Sequence, residues 1–177
     1  MFEELRPPYR TIVADPPWRL TTGPRWASGG KSKPVPYSTM TTDEIAALPV
    51  DSLADDHSHL YLWTVNHYLE ATYSIARCWG FSPSTLLTWC KPPHGLGPGG
   101  AYVPTTEFCL FARRGSLAPL SRVDTTWFAL PRGSHSAKPP AFLDVVEQVS
   151  PAPYLELFSR QPRLGWDAWG LGVETPA

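Results

Sequence analysis

The sequence predicts a single α/β domain built on a mostly parallel β-sheet. Three observations support this. Short apolar runs of β-prone residues alternate with segments of helical spacing through most of the 177 residues, the pattern of βα units. Two such runs, on either side of Lys91 to Pro104, follow each other with no helix between them and are expected to pair as neighbours. The first run, Thr11-Ile12-Val13-Ala14, stops at Asp15-Pro16-Pro17-Trp18, the signature of a buried strand that delivers a functional group at its carboxyl end.

In chain order, that first strand is followed by a loop, Arg19 to Pro36, rich in Gly, Pro, Ser and Lys. It is longer than a connector needs to be and carries Trp26, with Tyr37 just beyond it; loops of this length in compact domains are usually functional. Thr41 and Glu44 form a capping box that opens a short helix running to about Leu48. Ser58 to Thr64 predicts a second buried strand. His67 to Trp79 has helical spacing at Leu69, Ala71, Tyr73, Ile75 and Ala76, with Gly80 placed as its C-terminal cap. Thr85 to Cys90 and Glu107 to Ala112 are the third and fourth strands, and Arg113 to Pro131 reads as irregular. Pro140 to Val149 predicts a helix, Tyr154 to Phe158 a strand and Trp166 to Trp169 a last one. Ligands of open parallel sheets sit beyond the carboxyl ends of the strands, and Asp15 and Arg160 both fall at such ends.

Composition narrows the function classes. One domain is expected at this length, with a core over about residues 9–172 and short tails. Hydrophobic residues make up 42%, but no apolar run approaches the roughly 20 needed to cross a bilayer. Met1-Phe2-Glu3-Glu4-Leu5-Arg6 lacks the basic start and apolar centre of a secretion signal. Cys78, Cys90 and Cys109 are widely spaced in apolar surroundings, so reduced, buried thiols and a cytoplasmic location are expected, with no disulfide frame and no zinc site. A net charge of −1 does not advertise nucleic-acid binding in bulk. Basic residues do gather locally, at Arg19, Arg25, Lys31 and Lys33, at Arg113, Arg114, Arg122, Arg132 and Lys138, and at Arg160 and Arg163. Basic loops at one end of a neutral domain suit a phosphate-bearing substrate.

Asp15-Pro16-Pro17-Trp18 is the most specific element. A proline disfavours the helical region for the residue before it, so Asp15 and Pro16 are both expected to be extended. Neither proline has an N–H, which leaves carbonyl acceptors without a donor from those residues. A carboxylate, fixed acceptors and an indole then face one place, a set suited to a planar ligand with an amino group, such as a nucleobase.

These residues occur in a familiar order with Tyr37-Ser38-Thr39-Met40, Asp43-Glu44-Ile45, Leu62-Trp63-Thr64, Trp79-Gly80-Phe81, Trp89-Cys90-Lys91, Glu107, the run Arg132 to Pro139, Glu156-Leu157-Phe158-Ser159-Arg160, Gly165-Trp166 and Trp169-Gly170. Together they resemble the MT-A70 family of adenine-N6 methyltransferases over nearly the whole chain. The resemblance implies S-adenosylmethionine as methyl donor and a Rossmann-like methyltransferase fold. It also implies an antiparallel hairpin in the sheet and a permuted order, with the catalytic motif preceding the cofactor strand. It assigns catalysis to Asp15, Pro16, Pro17 and Trp18. Cofactor contacts fall to Asp15, His135, Lys138 and Arg160, and substrate contacts to Trp18, Tyr37, Arg132 and Lys138. No metal is implied. Where family members carry Asn followed by Gln or Glu to hold the ribose, this chain has Leu171 and Gly172, so that contact passes to Glu174 or is missing.

The chemistry is consistent with this assignment. The adenine amino group is a poor nucleophile because its lone pair is delocalised into the ring. Asp15 and the Pro16 carbonyl, accepting both amino hydrogens, would favour a pyramidal nitrogen, while Trp18 would stack on the base, with Tyr37 as a second candidate. The expected partner is an adenine-containing nucleic acid, DNA or RNA. A small adenine nucleoside or nucleotide is the alternative substrate, and a silent nucleic-acid-binding subunit the alternative role; a homodimer or a partner subunit is compatible with either.

Other features have structural explanations. His57, His59 and His67 have no matching Cys or acid pattern and are expected to be surface or loop-packing residues. Gly95 to Gly100 is expected to be a flexible substrate-side lid, not a phosphate-cradling loop, since a proline interrupts it and no helix follows. Tyr61, Trp63, Trp79 and Trp89 are expected in the core.

Overall fold

A computed structural model describes residues 2–19, 38–92, 101–131 and 137–170. Strands β1 (Tyr9–Ala14), β2 (Ala54–Thr64), β3 (Ser82–Cys90), β4 (Thr106–Arg114), β5 (Trp127–Ala129), β6 (Tyr154–Leu157) and β7 (Trp166–Trp169) form one sheet in the order β5-β3-β4-β2-β1-β6-β7. The pairs β1–β2, β1–β6, β6–β7 and β3–β5 are parallel. Strand β4 runs against both of its neighbours, β2 and β3, so a single reversed strand sits inside an otherwise parallel sheet. The expected pairing of the two consecutive strands is therefore present, as the antiparallel pair β3–β4. This is the α/β architecture of a Rossmann-like methyltransferase, with the motif-bearing strand β1 preceding β6 in the chain.

Strand periodicity divides the core between the two faces of the sheet. Ile12 and Ala14 of β1 and Leu60 and Leu62 of β2 point to one face, where they join Ile45, Ile75, Ala76 and Trp79. Helices α1 (Thr42–Ala46) and α2 (Leu69–Cys78) cover that side. Val13, Tyr61, Trp63, Trp89 and Cys109 point to the other face and pack on Phe142 and Val146 of helix α3 (Ala141–Val149). Trp63, Trp79 and Trp89 are each at most 4% exposed, as expected of core residues, and so is Tyr61.

Local signals account for the helix ends. Thr41 and Glu44 form the expected capping box, with the Glu44 N–H donating to Thr41 Oγ1 at 3.2 Å and the Thr41 N–H to Glu44 Oε2 at 2.7 Å. Gly80, at φ 79°, takes the left-handed position after α2. The N–H groups of Gly80 and Phe81 return to the carbonyls of Arg77 and Ala76, closing a Schellman motif.

Several boundaries differ from the sequence expectation. Helix α1 ends at Ala46, and Val50–Ser52 forms a separate 3₁₀ turn. Strand β2 begins at Ala54, four residues before the expected Ser58, because its polar start pairs with little burial. Trp127–Ala129, inside the stretch expected to be irregular, is an edge strand on β3. Three residues are too few to show a period.

Candidate active site

Strands β1 and β6 are parallel neighbours in exact register, Ala14 opposite Leu157, so their chains leave the sheet side by side. The Asp15 N–H donates to the Leu157 carbonyl at 3.3 Å and extends the ladder by one step. Here the strand order reverses, since β2 and β6 flank β1 on opposite sides, which makes the crevice where open α/β sheets bind ligands. Beyond β6 the chain turns sharply at Phe158, which has φ 64°, a left-handed conformation uncommon outside glycine. The turn is held by the Ser159 N–H donating to the Trp169 carbonyl at 3.1 Å. Gly170 lies against the same turn so closely that a Cβ there would stand 2.5 Å from the Ser159 carbonyl oxygen.

Four charges alternate across this end of the sheet. Lys138, in the segment leading into α3, donates to Asp15 Oδ1 at 2.7 Å and Oδ2 at 2.9 Å. The same ammonium lies 3.3 Å from Glu107 Oε2, and Glu107 Oε1 accepts from Lys91. Lys91 follows β3 and Glu107 lies near the start of β4. The register that pairs Trp89 with Glu107 sets them diagonally on one face. Burial disfavours ionised Glu107, but the ammoniums of Lys138 and Lys91 outweigh it and hold the carboxyl below its usual range. Burial likewise works against charged Lys138, and Asp15 and Glu107 overcome it, raising its pKa. Each of the two central groups, Glu107 and Lys138, thus favours the charged form of the other.

A cavity of about 410 Å³ opens beside this set, within the roughly 300–1,000 Å³ span of small-molecule sites. Val13, Trp63, Phe142, Leu143 and Phe158 give it apolar walls; Asp15, Glu156, Lys138, Arg160 and Arg163 supply charge. Glu156 projects from β6 and accepts from Ser159 Oγ at 2.8 Å. Burial, with Asp15 nearby, raises its pKa above the usual carboxylate value. Among the described residues, no group of three or more His, Cys, Asp or Glu is arranged to hold a metal ion.

Of the residues singled out from sequence, Asp15, Lys138 and Arg160 line this cavity together. Tyr37, Arg132 and His135, together with the Gly95 to Gly100 lid and the Leu171-Gly172 and Glu174 positions, lie outside the described residues. Trp18 needs correction as an open stacking surface. It is 4% exposed, its ring stacks on Tyr68 at 4.9 Å, and its indole N–H donates to the Trp63 carbonyl at 3.0 Å. Its observed work is to pin the Asp-Pro-Pro turn to the end of β2. The proline carbonyls are not donor-free either: Pro16 accepts from the Trp18 N–H at 2.8 Å and Pro17 from the Met40 N–H at 2.9 Å.

The basic residues are also redistributed. Because β4 is reversed, its last residues Arg113 and Arg114 pair with the start of β2, at the opposite end of the sheet from Asp15. His59, expected near the surface or in loop packing, is fully buried, between Ser150 and the Leu117 carbonyl. Of the cysteines expected to be buried, only Cys109 is; Cys90 is partly exposed and Cys78, the last residue of α2, is exposed. Lys91, Glu107 and Glu156 were not among the candidate site residues. For the first two the signal was available, since pairing β3 with β4 places them at the strand ends facing Lys138.

An α/β sheet with one reversed strand, and an acid at its switch point beside a cavity, is consistent with a Rossmann-like methyltransferase. The MT-A70 family profile matches residues 9–172, and the chain belongs to that family, whose enzyme class is adenine-N6 methyltransferase. Its relatives include the type II methyltransferase M.MunI from Mycoplasma sp., 31% identical over 95% of this chain and 79% of that protein. The N(6)-adenosine-methyltransferase MT-A70-like protein of Drosophila melanogaster is 27% identical over 86% of this chain, and the catalytic subunit METTL3 of Homo sapiens 25% over 86%. The chain spans 24% and 26% of the lengths of those two animal proteins.

Proposed function

We propose that this protein transfers a methyl group from S-adenosylmethionine to the N6 amino group of adenine in DNA or RNA. The observation that carries the proposal is the position of Asp15, whose carboxylate is shared between the cavity and the Lys138–Glu107 pair. The cavity residues suit the donor: apolar walls for a purine, Asp15 and Glu156 for cationic groups, and Arg160 for a hydroxyl or carboxylate. When bound, S-adenosylmethionine supplies a methyl group on a sulfonium that departs as a neutral thioether.

The chain's own residues then have limited tasks. Asp15 accepts an amino hydrogen of the adenine and holds the nitrogen lone pair toward the donor, so catalysis is chiefly alignment and electrostatic stabilisation. In the structure Lys138 occupies both Asp15 oxygens, and an incoming amine displaces one of those bonds. Glu107, already 3.3 Å from the ammonium, receives Lys138 as it yields. A duplex target has its base flipped out at a cost of a few kcal/mol, which a single strand avoids. After transfer the N6 cation gives up its proton to water.

Methyl transfer is measured side by side on adenine-containing duplex DNA, single-stranded DNA, RNA and free adenosine, with wild type and Asp15→Ala. Transfer to a nucleic acid that Asp15→Ala abolishes, in a protein that still unfolds cooperatively, is the expected result. Retained transfer in Asp15→Ala would reject the role of this carboxylate, and transfer to adenosine alone would reject the nucleic-acid substrate.

A further inference from the structure

The cavity has two walls that are not sheet. One is the entry to α3, from Ala137 to Pro140 with Phe142 and Leu143; the other is the β6–β7 connection, with Phe158 and Arg160 to Arg163. The near end of that connection is fixed by the Ser159 turn. Its far end projects into solvent, where Leu164 is 100% exposed and Gly165 has φ 81°.

One side chain ties the far end to α3. Arg163 Nε donates to Glu147 Oε1 at 2.9 Å and Nη2 to Glu147 Oε2 at 2.9 Å, a forked pair. Nη2 also donates to Asp144 Oδ1 at 2.6 Å. Asp144 and Glu147 are three residues apart and so share one face of α3. Glu147 is fixed from the other side as well, since Trp166 Nε1 donates to its Oε1 at 2.7 Å. Trp166 is itself immobilised, 8% exposed and stacked on Tyr154 at 4.6 Å.

We propose that Arg163 is a positioning residue: braced on Glu147 and Asp144, it sets the separation of the two cavity walls and thereby the affinity for the methyl donor. The proposal rests on the cavity being the donor site. An exposed ion pair adds little to global stability, because solvent screens it and both long side chains lose freedom. The same pair acts strongly on a local separation, because the loop it anchors has no ladder of its own. Lys cannot replace Arg here, since one ammonium cannot occupy both oxygens of Glu147 in a planar fork.

The test uses Arg163→Met, Arg163→Lys, Glu147→Gln and the Arg163→Met/Glu147→Gln double variant. Binding of S-adenosylmethionine and S-adenosylhomocysteine is followed by calorimetry, with donor KM, kcat and Tm measured in parallel. Each single variant is expected to weaken donor binding and raise donor KM by about tenfold, because a loop without its brace must be ordered when the donor binds. The KM for nucleic acid stays unchanged, and the double variant is no worse than Arg163→Met, since both remove one brace. Unchanged donor affinity with a lowered Tm overturns the proposal by making the contact merely structural. Weakened binding in Arg163→Met alone, with Glu147→Gln like wild type, also overturns it by making Arg163 a direct ligand contact. Wild-type protein that binds neither compound rejects the donor site itself, an outcome distinct from both.

Discussion

Lys138 places its ammonium 2.7 and 2.9 Å from the two carboxylate oxygens of Asp15, joining positions 123 residues apart in the chain. The pair closes the end of the cavity and couples the β1 turn to the entry of α3. Glu107 Oε2, 3.3 Å from the same ammonium, is its second acceptor.

Removing the ammonium leaves Asp15 and Glu107 facing each other, with side chains 20% and 18% exposed. Lys138→Met is expected to lower stability by about 3 kcal/mol, the low end of the roughly 3–5 kcal/mol for breaking a buried ion pair from one side, because these side chains keep some exposure. Urea unfolding at pH 7 measures this, and methyl transfer should fall by more than about a hundredfold in the same variant. The carboxyl of Glu107 titrates below its usual value in the fold, so its contribution is present above about pH 4.5 and lost as the pH falls further. The destabilisation by Lys138→Met should therefore shrink on acidification.

Trp18→Phe separates two roles for the indole. Phe keeps the contact with Tyr68 but cannot donate to the Trp63 carbonyl, leaving a buried acceptor unmet. A loss of about 1–2 kcal/mol in unfolding free energy is expected, with KM for the nucleic-acid substrate nearly unchanged. A large rise in that KM with undiminished stability would instead show Trp18 to be the stacking platform.

His59 makes stability depend on pH. Burial lowers its pKa below 6.5, so the folded state favours the neutral ring more than the unfolded chain does. The unfolded chain then binds the extra proton, and stability is full above about pH 6.5 and declines as the pH falls toward the lowered folded value. The ring faces Ser150 and the Leu117 carbonyl, with Arg113 and Arg10 adding like charge. Urea midpoints between pH 7.5 and 5 should fall on acidification in wild type, and this component should disappear in His59→Gln.

Gly170→Ala probes the packing behind the site. Its Cβ would meet Ser159 backbone atoms at 2.5 and 2.6 Å, and backbone cannot swing aside as a flexible side chain would. A loss of about 2 kcal/mol is expected, together with weaker donor binding, because the Phe158–Ser159 turn lines the cavity. Thermal unfolding and calorimetric titration with S-adenosylhomocysteine would report both.

Much of this was legible from local signals. Apolar runs marked β1, β6 and β7; the Thr41–Glu44 box and Gly80 marked helix ends; the Asp-Pro-Pro-Trp unit marked the turn that carries Asp15 to the cavity. What escaped had no local signature. Trp127–Ala129 is too short to show a period and is a strand only because Thr88 to Cys90 lie beside it. Trp18 reads from sequence as an exposed ring, and its burial depends on Tyr68, fifty residues away. Arg113 and Arg114 belong by sequence to a basic patch, yet one reversed strand carries them to the far end of the sheet.

By itself, the sequence determined the alternation of strands and helices, the motif at the first strand's end and the family to which the chain belongs. These are written in short-range periodicity, capping chemistry and the order of motifs. Only the tertiary structure decided which charges meet at Asp15. Strand order and register, with each helix's packing face, bring Lys138 and Glu156 to Asp15 and join Lys138 through Glu107 to Lys91. Such contacts form only when the apolar faces of the whole sheet are buried at once, which no local stretch of residues records.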